Sequence, residues 1–404
     1  MVTCPATGMD LKSGSLFWPA RDKRPKRHAP LKRDLKCEVA IIGGGLTGAL
    51  AAWQLVQSGF DVVLVDKRDV AQGSTSASTA LILYEIDLPL IELRRRIGKA
   101  KADRAYKLCR DAIYEIEEVV PKLDRRCEFA RTKSLYIASS RRDIPALRRE
   151  CRARQEIGLN ASYLREKELR ERFGVSALGA LMSVEAAQID PYRFAHALVE
   201  SSKGLRVFGR TEVKRIESTG SGMRVRTSNG HQISAKRVIV AAGYESSPYI
   251  PKKLFRLRST YAVAARPVKG RLPEKFILWE TATPYVYMRS TADGRILAGG
   301  EDENFCDPEK RDALIGKKAK ALEKRLGMLI PKVRFKAERA WAGTFGESKD
   351  GLPCIGTKRG RPNVFYALCY GANGTNFAMI AANMALDWMQ QKRSRDAAIF
   401  SLYR

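Results

Sequence analysis

Gly43, Gly45 and Gly48 in VAIIGGGLTG are spaced as G-x-G-x-x-G, a pattern whose chemistry is the cradling of a pyrophosphate. In such a turn the first glycine permits the tight bend, the second lets a phosphate approach the backbone, and the third lets helix and strand pack closely. Gly44, Leu46 and Thr47 complete the turn. The helix they open would offer unpaired N–H groups and a partial positive charge to an anion. Asp66 lies about 20 residues further on, where a carboxylate meets ribose hydroxyls, and Lys67 follows it. An acid there disfavours a 2′-phosphate, which sets NADP aside and leaves NAD and FAD open.

Such a turn needs a strand before it and a helix after it, and the flanking residues supply both. The pattern predicts a strand from Glu38 to Ile42, a helix from Leu46 to Ser58 stopped by Gly59, and a strand from Asp61 to Val65. Further on it predicts a long helical region from Leu88 to Leu123, a strand at Ser134 to Ala138 and a helix near Ile144 to Gly158. Strands fill Arg206 to Ala242 and return in STYAVAARPV, YVYMRST and RILAGGE; a helix spans roughly Pro308 to Leu329. The C-terminal stretch NVFYALCYGANGTNFAMIAANMALDWM repeats the opening order of strand, glycine turn and helix.

Three later segments favour FAD over NAD. QGSTSASTA clusters small hydroxyl side chains, Ser74, Thr75, Ser78 and Thr79, where a long extended cofactor would leave the first strand. RVIVAAGYES ends a buried strand at Ala242-Gly243, which allows close backbone approach. CYGANGTN places Gly371, Ala372, Asn373, Gly374 and Thr375 at the mouth of the last long helix. A helix start there could face the pyrimidine edge of an isoalloxazine ring and stabilise the charge that develops on reduction.

Composition narrows the classes. A chain of 404 residues exceeds one ordinary core, so two domains are expected. No window approaches the ~18 consecutive apolar residues of a membrane span, and the polar start lacks a secretory core, so a soluble, cytoplasmic protein is expected. Eight scattered cysteines without CxxC spacing read as free thiols, and three histidines give little material for a metal site; no metal is expected. The net charge of +29 favours anionic partners: nucleic acid, an anionic membrane, or a negatively charged cofactor and substrate. Residues 1–36, with the basic run RDKRPKRHAPLKRDLK, read as an arm that packs as an extended strap or stays mobile.

The ordered set EVAIIGGGLTGALAAWQL, VVLVDKRDVAQGSTSAST, AAQIDPYRFAHAL, VIVAAGYES, TADGRILAGGED, WAGTFGESKDGLPCIG and CYGANGTNFAMIAA resembles the D-amino-acid oxidase superfamily of FAD-dependent oxidoreductases. That family includes glycine oxidase, sarcosine oxidase and the D-amino-acid dehydrogenases. The resemblance implies an α/β fold: a Rossmann-like FAD-binding domain of the GR2 type plus an α+β substrate domain with an antiparallel sheet. The expected FAD-binding segments are 37–87, 192–255 and 336–404; the expected substrate-domain segments are 88–191 and 256–335. Noncovalent FAD would be held by Gly43, Gly45, Gly48, Asp66, the Ser74–Thr79 loop, a backbone contact at Val213, Ala242-Gly243, and Gly371 to Thr375. The implied reaction takes a hydride from the carbon beside an amine, leaving an imine that water hydrolyses, with oxygen or an electron carrier as final acceptor.

The chain departs from that family at informative places. WAGTF puts Phe345 where the glycine oxidase branch has a carboxylate-clamping arginine, and Ala372 replaces a second polar anchor. Leu297 falls on the lysine of the sarcosine oxidase branch, and Gly343 stands near the cysteine that carries covalent flavin there. Arg289, with Tyr287 on the same strand face, is the alternative candidate for binding an acidic group. His196 and Trp341 read as structural residues. Two rival readings follow from the charge: a flavoprotein docked to nucleic acid, disfavoured because the basic residues are not gathered with aromatics, and a peripheral membrane dehydrogenase feeding quinone.

Overall fold

The structure, a computed structural model, describes residues 10–22, 27–246, 249–250, 254–268, 272, 274–368, 371 and 373–404. Strand Leu35–Ile42 ends in four residues buried on both faces, as an apolar VAII run requires of a strand covered by helices. It lies parallel to Val62–Val65 on one side and to Gln232–Val240 on the other. Arg206–Phe208 and Arg361–Leu368 extend this parallel sheet outward, and Cys354–Lys358 closes one edge antiparallel. Val213–Thr219 and Gly222–Thr227 form a meander with Gln232–Val240.

Helices Leu46–Gln57 and Gly374–Met389 each follow a parallel strand of this sheet, so both begin at its carboxyl edge, where open α/β sheets bind ligands. Their facing sides carry buried small residues, among them Ala49, Ala52, Ala378 and Ala381, which let the two pack closely. Gln54 Nε2 donates to Asn383 Oδ1 at 2.6 Å between them.

The second sheet has ten strands, antiparallel except for the parallel pair Ala130–Ile137 and Phe276–Glu280. Its centre runs through Ala337–Ser348, Phe255–Ala265, Ile296–Glu303 and Val286–Ser290. Val263, Met288 and Ala298 face outward onto Leu322 and Leu326 of helix Ile315–Leu329. Ala262, Ala264, Leu297 and Trp341 face inward and share a core with the helices of the parallel sheet. Tyr287 and Arg289 alternate with Met288 and therefore point inward.

Several expectations shift. The helical region after Leu88 is two helices, Leu90–Ile97 and Lys99–Val119, broken at Gly98 with φ +87°. The helix near Pro308 likewise divides into Pro308–Ala313 and Ile315–Leu329. Strand Gly179–Gln188 was not anticipated, because it is buried on both faces and shows no alternation to read. Strand Ala337–Ser348 belongs to the larger sheet. Cys306 is disulfide-bonded, which corrects the expectation of free thiols throughout; Cys37, Cys109, Cys127, Cys151 and Cys354 are free.

The arm is built into the fold. Lys12–Gly14 forms the edge strand beside Ala337–Ser348, and Leu11, Phe17, Trp18 and Leu31 are buried. Residues 23–26 of the basic run lie outside the described residues.

Candidate cofactor and substrate site

At the carboxyl edge of the parallel sheet the glycine turn takes the form its spacing predicts. Gly43 has φ +110°, and a Cβ there would stand 2.3 Å from the Ala241 carbonyl oxygen. A Cβ on Gly48 would stand 1.9 Å from the Gly43 carbonyl oxygen, so helix and turn can approach only with glycine there. Gly45 is the N-cap of helix Leu46–Gln57 and has only Thr75 Oγ1 near its open side, at 3.3 Å. That leaves the helix start able to admit a phosphate.

Asp66 ends the second strand. Its Oδ2 accepts from the Gly44 N–H at 2.7 Å and its Oδ1 from the Arg68 N–H at 2.7 Å. Burial nonetheless holds its carboxyl above the ordinary range. Lys67 and Arg68 both pair with Glu245, at 2.5 and 2.7 Å, so the Lys67 ammonium is engaged at the rim. Thr211 N donates to the Asp66 carbonyl at 2.8 Å, which brings Val213 alongside. Ala241 N donates to Ile42 O at 2.8 Å and sets Ala242 and Gly243 beside the turn.

The Ser74–Thr79 loop links the elements. Thr75 Oγ1 accepts from the Leu46 N–H at 3.0 Å, joining the loop to the first helix. The Trp341 indole donates to Ala77 O at 2.9 Å and the Trp18 indole to Ser78 O at 2.6 Å. The Thr79 and Tyr287 hydroxyls are hydrogen-bonded at 3.3 Å. At the other end Asn373 Nδ2 donates to Leu83 O at 2.9 Å and Glu85 O at 2.6 Å, seating Gly374 and Thr375 at the start of the last helix. Gly371 N donates to Gly346 O at 2.8 Å, next to Phe345. Ala372 lies outside the described residues.

These residues fit FAD: hydrogen bonds join the glycine-gated helix start to the Asp66 carboxylate and to the hydroxyl loop, and the second helix start is bonded to Leu83 and Glu85 of the chain that follows the loop. Thr47 and Ser74 sit half-buried in the same turn and loop.

Over this edge the larger sheet presents Tyr285, Tyr287, Thr260, Arg258 and Phe345. Tyr287 packs where Gly299 leaves room, since a Cβ there would stand 2.3 Å from the Tyr287 hydroxyl. Between Ser259 and Tyr261 the pairing with Ile296–Glu303 slips register, and Glu301 takes φ +55°. The resulting bulge re-aims Asp302. Asp302 has a side-chain bond to Thr260 and acts electrostatically on Tyr285 and Tyr287. Its Oδ1 has no hydrogen-bond partner, and burial pushes its carboxyl up to about 6. Arg258 stands opposite Phe345 in register, and its Nε pairs with Glu347 Oε2 at 2.7 Å. Sequence reasoning missed Asp302 and Arg258; the signal for Asp302 was the GGED run, whose paired glycines mark a bulge.

Arg289 differs from the open anchor expected of it. Its side chain is buried at 2 % exposure, Nη2 donates to Ile189 O at 2.8 Å, and the guanidinium lies 5.2 Å from the Trp18 ring centroid. Burial lowers its pKa to about 9. His196 is likewise buried, with neither ring nitrogen partnered.

Residues 38–388 match the family described as "DAO: FAD dependent oxidoreductase". The chain is 24 % identical over 399 residues to the gamma-glutamylputrescine oxidoreductase of Escherichia coli (strain K12), covering 93 % of this chain and 89 % of that protein. It is 23 % identical over 367 residues to the glycine oxidase of Bacillus subtilis (strain 168), covering 88 % and 93 %. The crystal structure of glycine oxidase from Geobacillus kaustophilus superposes with a TM-score of 0.77 at 21 % identity, covering 92 % of this chain and 99 % of that one. No helix among the described residues is long and apolar enough to cross a membrane.

Proposed function

Because this chain belongs to the DAO family of FAD-dependent oxidoreductases, which supports an enzyme acting on amines or amino acids, we propose that it oxidises a carbon–nitrogen bond of a substrate that arrives as a cation. FAD, when bound, supplies the hydride acceptor, and the chain's own residues bind and orient the substrate. The parallel sheet serves the cofactor and the larger sheet the substrate.

The observation that carries the reading is the charge left over on the surface above the cofactor loops. The Arg258 cation is engaged by Glu347, while Lys318, on the helix covering the opposite face of the sheet, pairs with Glu301 and Glu303 at 3.6 and 2.7 Å. Asp302 makes no ion pair among the described residues and keeps one oxygen unpartnered. Arg258 and Lys318 act on Asp302 only through space, so its carboxylate is the group there with an oxygen left for a ligand, in a protein of net charge +29. An ammonium group suits such a carboxylate, and a lone substrate carboxylate does not. Phe345, in place of an arginine clamp, agrees with this and adds an apolar wall. Tyr285 and Tyr287 offer neutral hydroxyls, since burial pushes the Tyr287 pKa up to about 12 and raises that of Tyr285 well above its ordinary value.

Anaerobic bleaching of the flavin tests the reading. Primary amines, diamines and N-alkylated amines should bleach it faster than glycine or D-alanine. Bleaching confined to simple amino acids would overturn the cationic-substrate reading.

A further inference from the structure

We propose that Trp18 is a positioning residue: the N-terminal strap, residues 10–22, latches the Ser74–Thr79 loop over the cofactor and thereby controls how tightly FAD is retained. This rests on the reading of that loop as part of the FAD site. The strap precedes the family-matching region, which begins at residue 38.

The strap is anchored at three points. Lys12–Gly14 pairs with Trp341 to Gly343, the segment that also carries the Trp341 indole to Ala77 O. Arg311, fully buried, donates from Nη1 to Asp10 O at 2.7 Å and to Thr344 Oγ1 at 2.9 Å, and its Nε donates to Asp312 at 2.8 Å. Ser13 donates to the same Asp312. Arg21 closes the far end on Glu128, with both terminal nitrogens at 3.0 Å.

Between these anchors Trp18 is 1 % exposed and its indole N–H meets Ser78 O at 2.6 Å. The Arg289 guanidinium lies over its ring, 5.2 Å from the centroid. Two indoles from distant parts of the chain thus hold consecutive carbonyls, Ala77 and Ser78, of a loop whose Thr75 side chain meets the first helix and whose Thr79 side chain meets the larger sheet. Fixing both carbonyls fixes the direction of the intervening peptide groups, and a loop already held in its bound shape binds more tightly because less freedom is lost. The N–H of Trp18 is the part that does this; its ring fills the core.

The test separates those two parts. Trp18→Phe keeps an apolar ring and removes the donor. Purified as holoenzyme and diluted into excess apoprotein of an unrelated FAD-binding flavoprotein, the variant should release FAD about tenfold faster, with a shifted visible flavin spectrum, while the melting temperature of its own apoprotein stays close to that of the unaltered chain. Arg311→Lys, which loosens the strap away from the loop, should speed release in the same direction, and the double variant should add little to either. Unchanged release in both variants overturns the latch, as does a fall in apoprotein melting temperature with unchanged release, which marks a purely structural tryptophan. If the unaltered chain binds no FAD, the reading of the site itself fails.

Discussion

Asn373 donates from its side-chain amide to the main-chain carbonyl of Glu85 at 2.6 Å, and through that bond the start of the last helix is tied to the chain leaving the cofactor loop. The same amide reaches Leu83 O. Asn373 is buried, so Asn373→Ala leaves two carbonyls short of a donor, at a cost of roughly 1–3 kcal/mol. Calorimetry should show a lowered melting temperature and flavin titration a weaker FAD affinity; Asn373→Asp, which presents no N–H pair to the carbonyls, should be no better.

Adding one methyl group distinguishes the glycines. Gly48→Ala places Cβ against the Gly43 carbonyl and should abolish FAD binding, measured as loss of the visible absorbance on purification. Gly73→Ala, where nothing stands within 4 Å of the added carbon, should retain full flavin content.

Asp302 should govern the pH profile for cationic amines. Its carboxyl is held near 6 by burial, so kcat/KM should rise as pH increases through about 6 and the carboxylate forms. Asp302→Asn should flatten that limb and lower kcat/KM for diamines by about tenfold or more, as expected for removing a charge-assisted contact, with little effect on neutral amines. A rate limb that persists in the variant would assign the titration to another group.

His196 predicts an acid instability. Burial lowers its pKa to about 4, from an ordinary value of 6.5, so the unfolded chain takes up the proton first as pH falls. Stability present above 6.5 is lost progressively between 6.5 and 4, by at most on the order of 3 kcal/mol. His196→Phe should remove that slope from urea midpoints measured across this interval, while leaving the carboxylate-driven loss at lower pH.

The flavin should leave with acid. Gly343 offers no sulfur for a thioether, so precipitation with trichloroacetic acid should put the yellow colour in the supernatant. Colour retained in the pellet would show a covalent bond elsewhere in the chain.

The turn, strand end and loop proposed to hold the cofactor were legible as structure because their signals are local: a glycine spacing, an acid at the end of the next strand, hydroxyls in one loop. The parallel strands were legible from apolar runs such as VAII and VIV. The substrate half was not, because Asp302 is aimed by a register slip between strands far apart in sequence, and Arg258 is matched to Phe345 and Glu347 only by sheet pairing. Arg289 was found by type and placed on the correct face, yet its burial, with Trp18 packed against its guanidinium, comes from a contact between segments far apart in sequence. Gly98 breaks a helix whose apolar periodicity continues on both sides, so pattern alone merged the two.

Ser13 and Asp312 meet across 299 positions of chain. A ribosome would therefore make the first parallel strands and the glycine turn long before the edge partner of the first strand emerges. Lys12–Gly14 is thus among the last segments to find its partner, and a chain interrupted before Ala337 would leave that strand unpaired for chaperones and proteases to recognise.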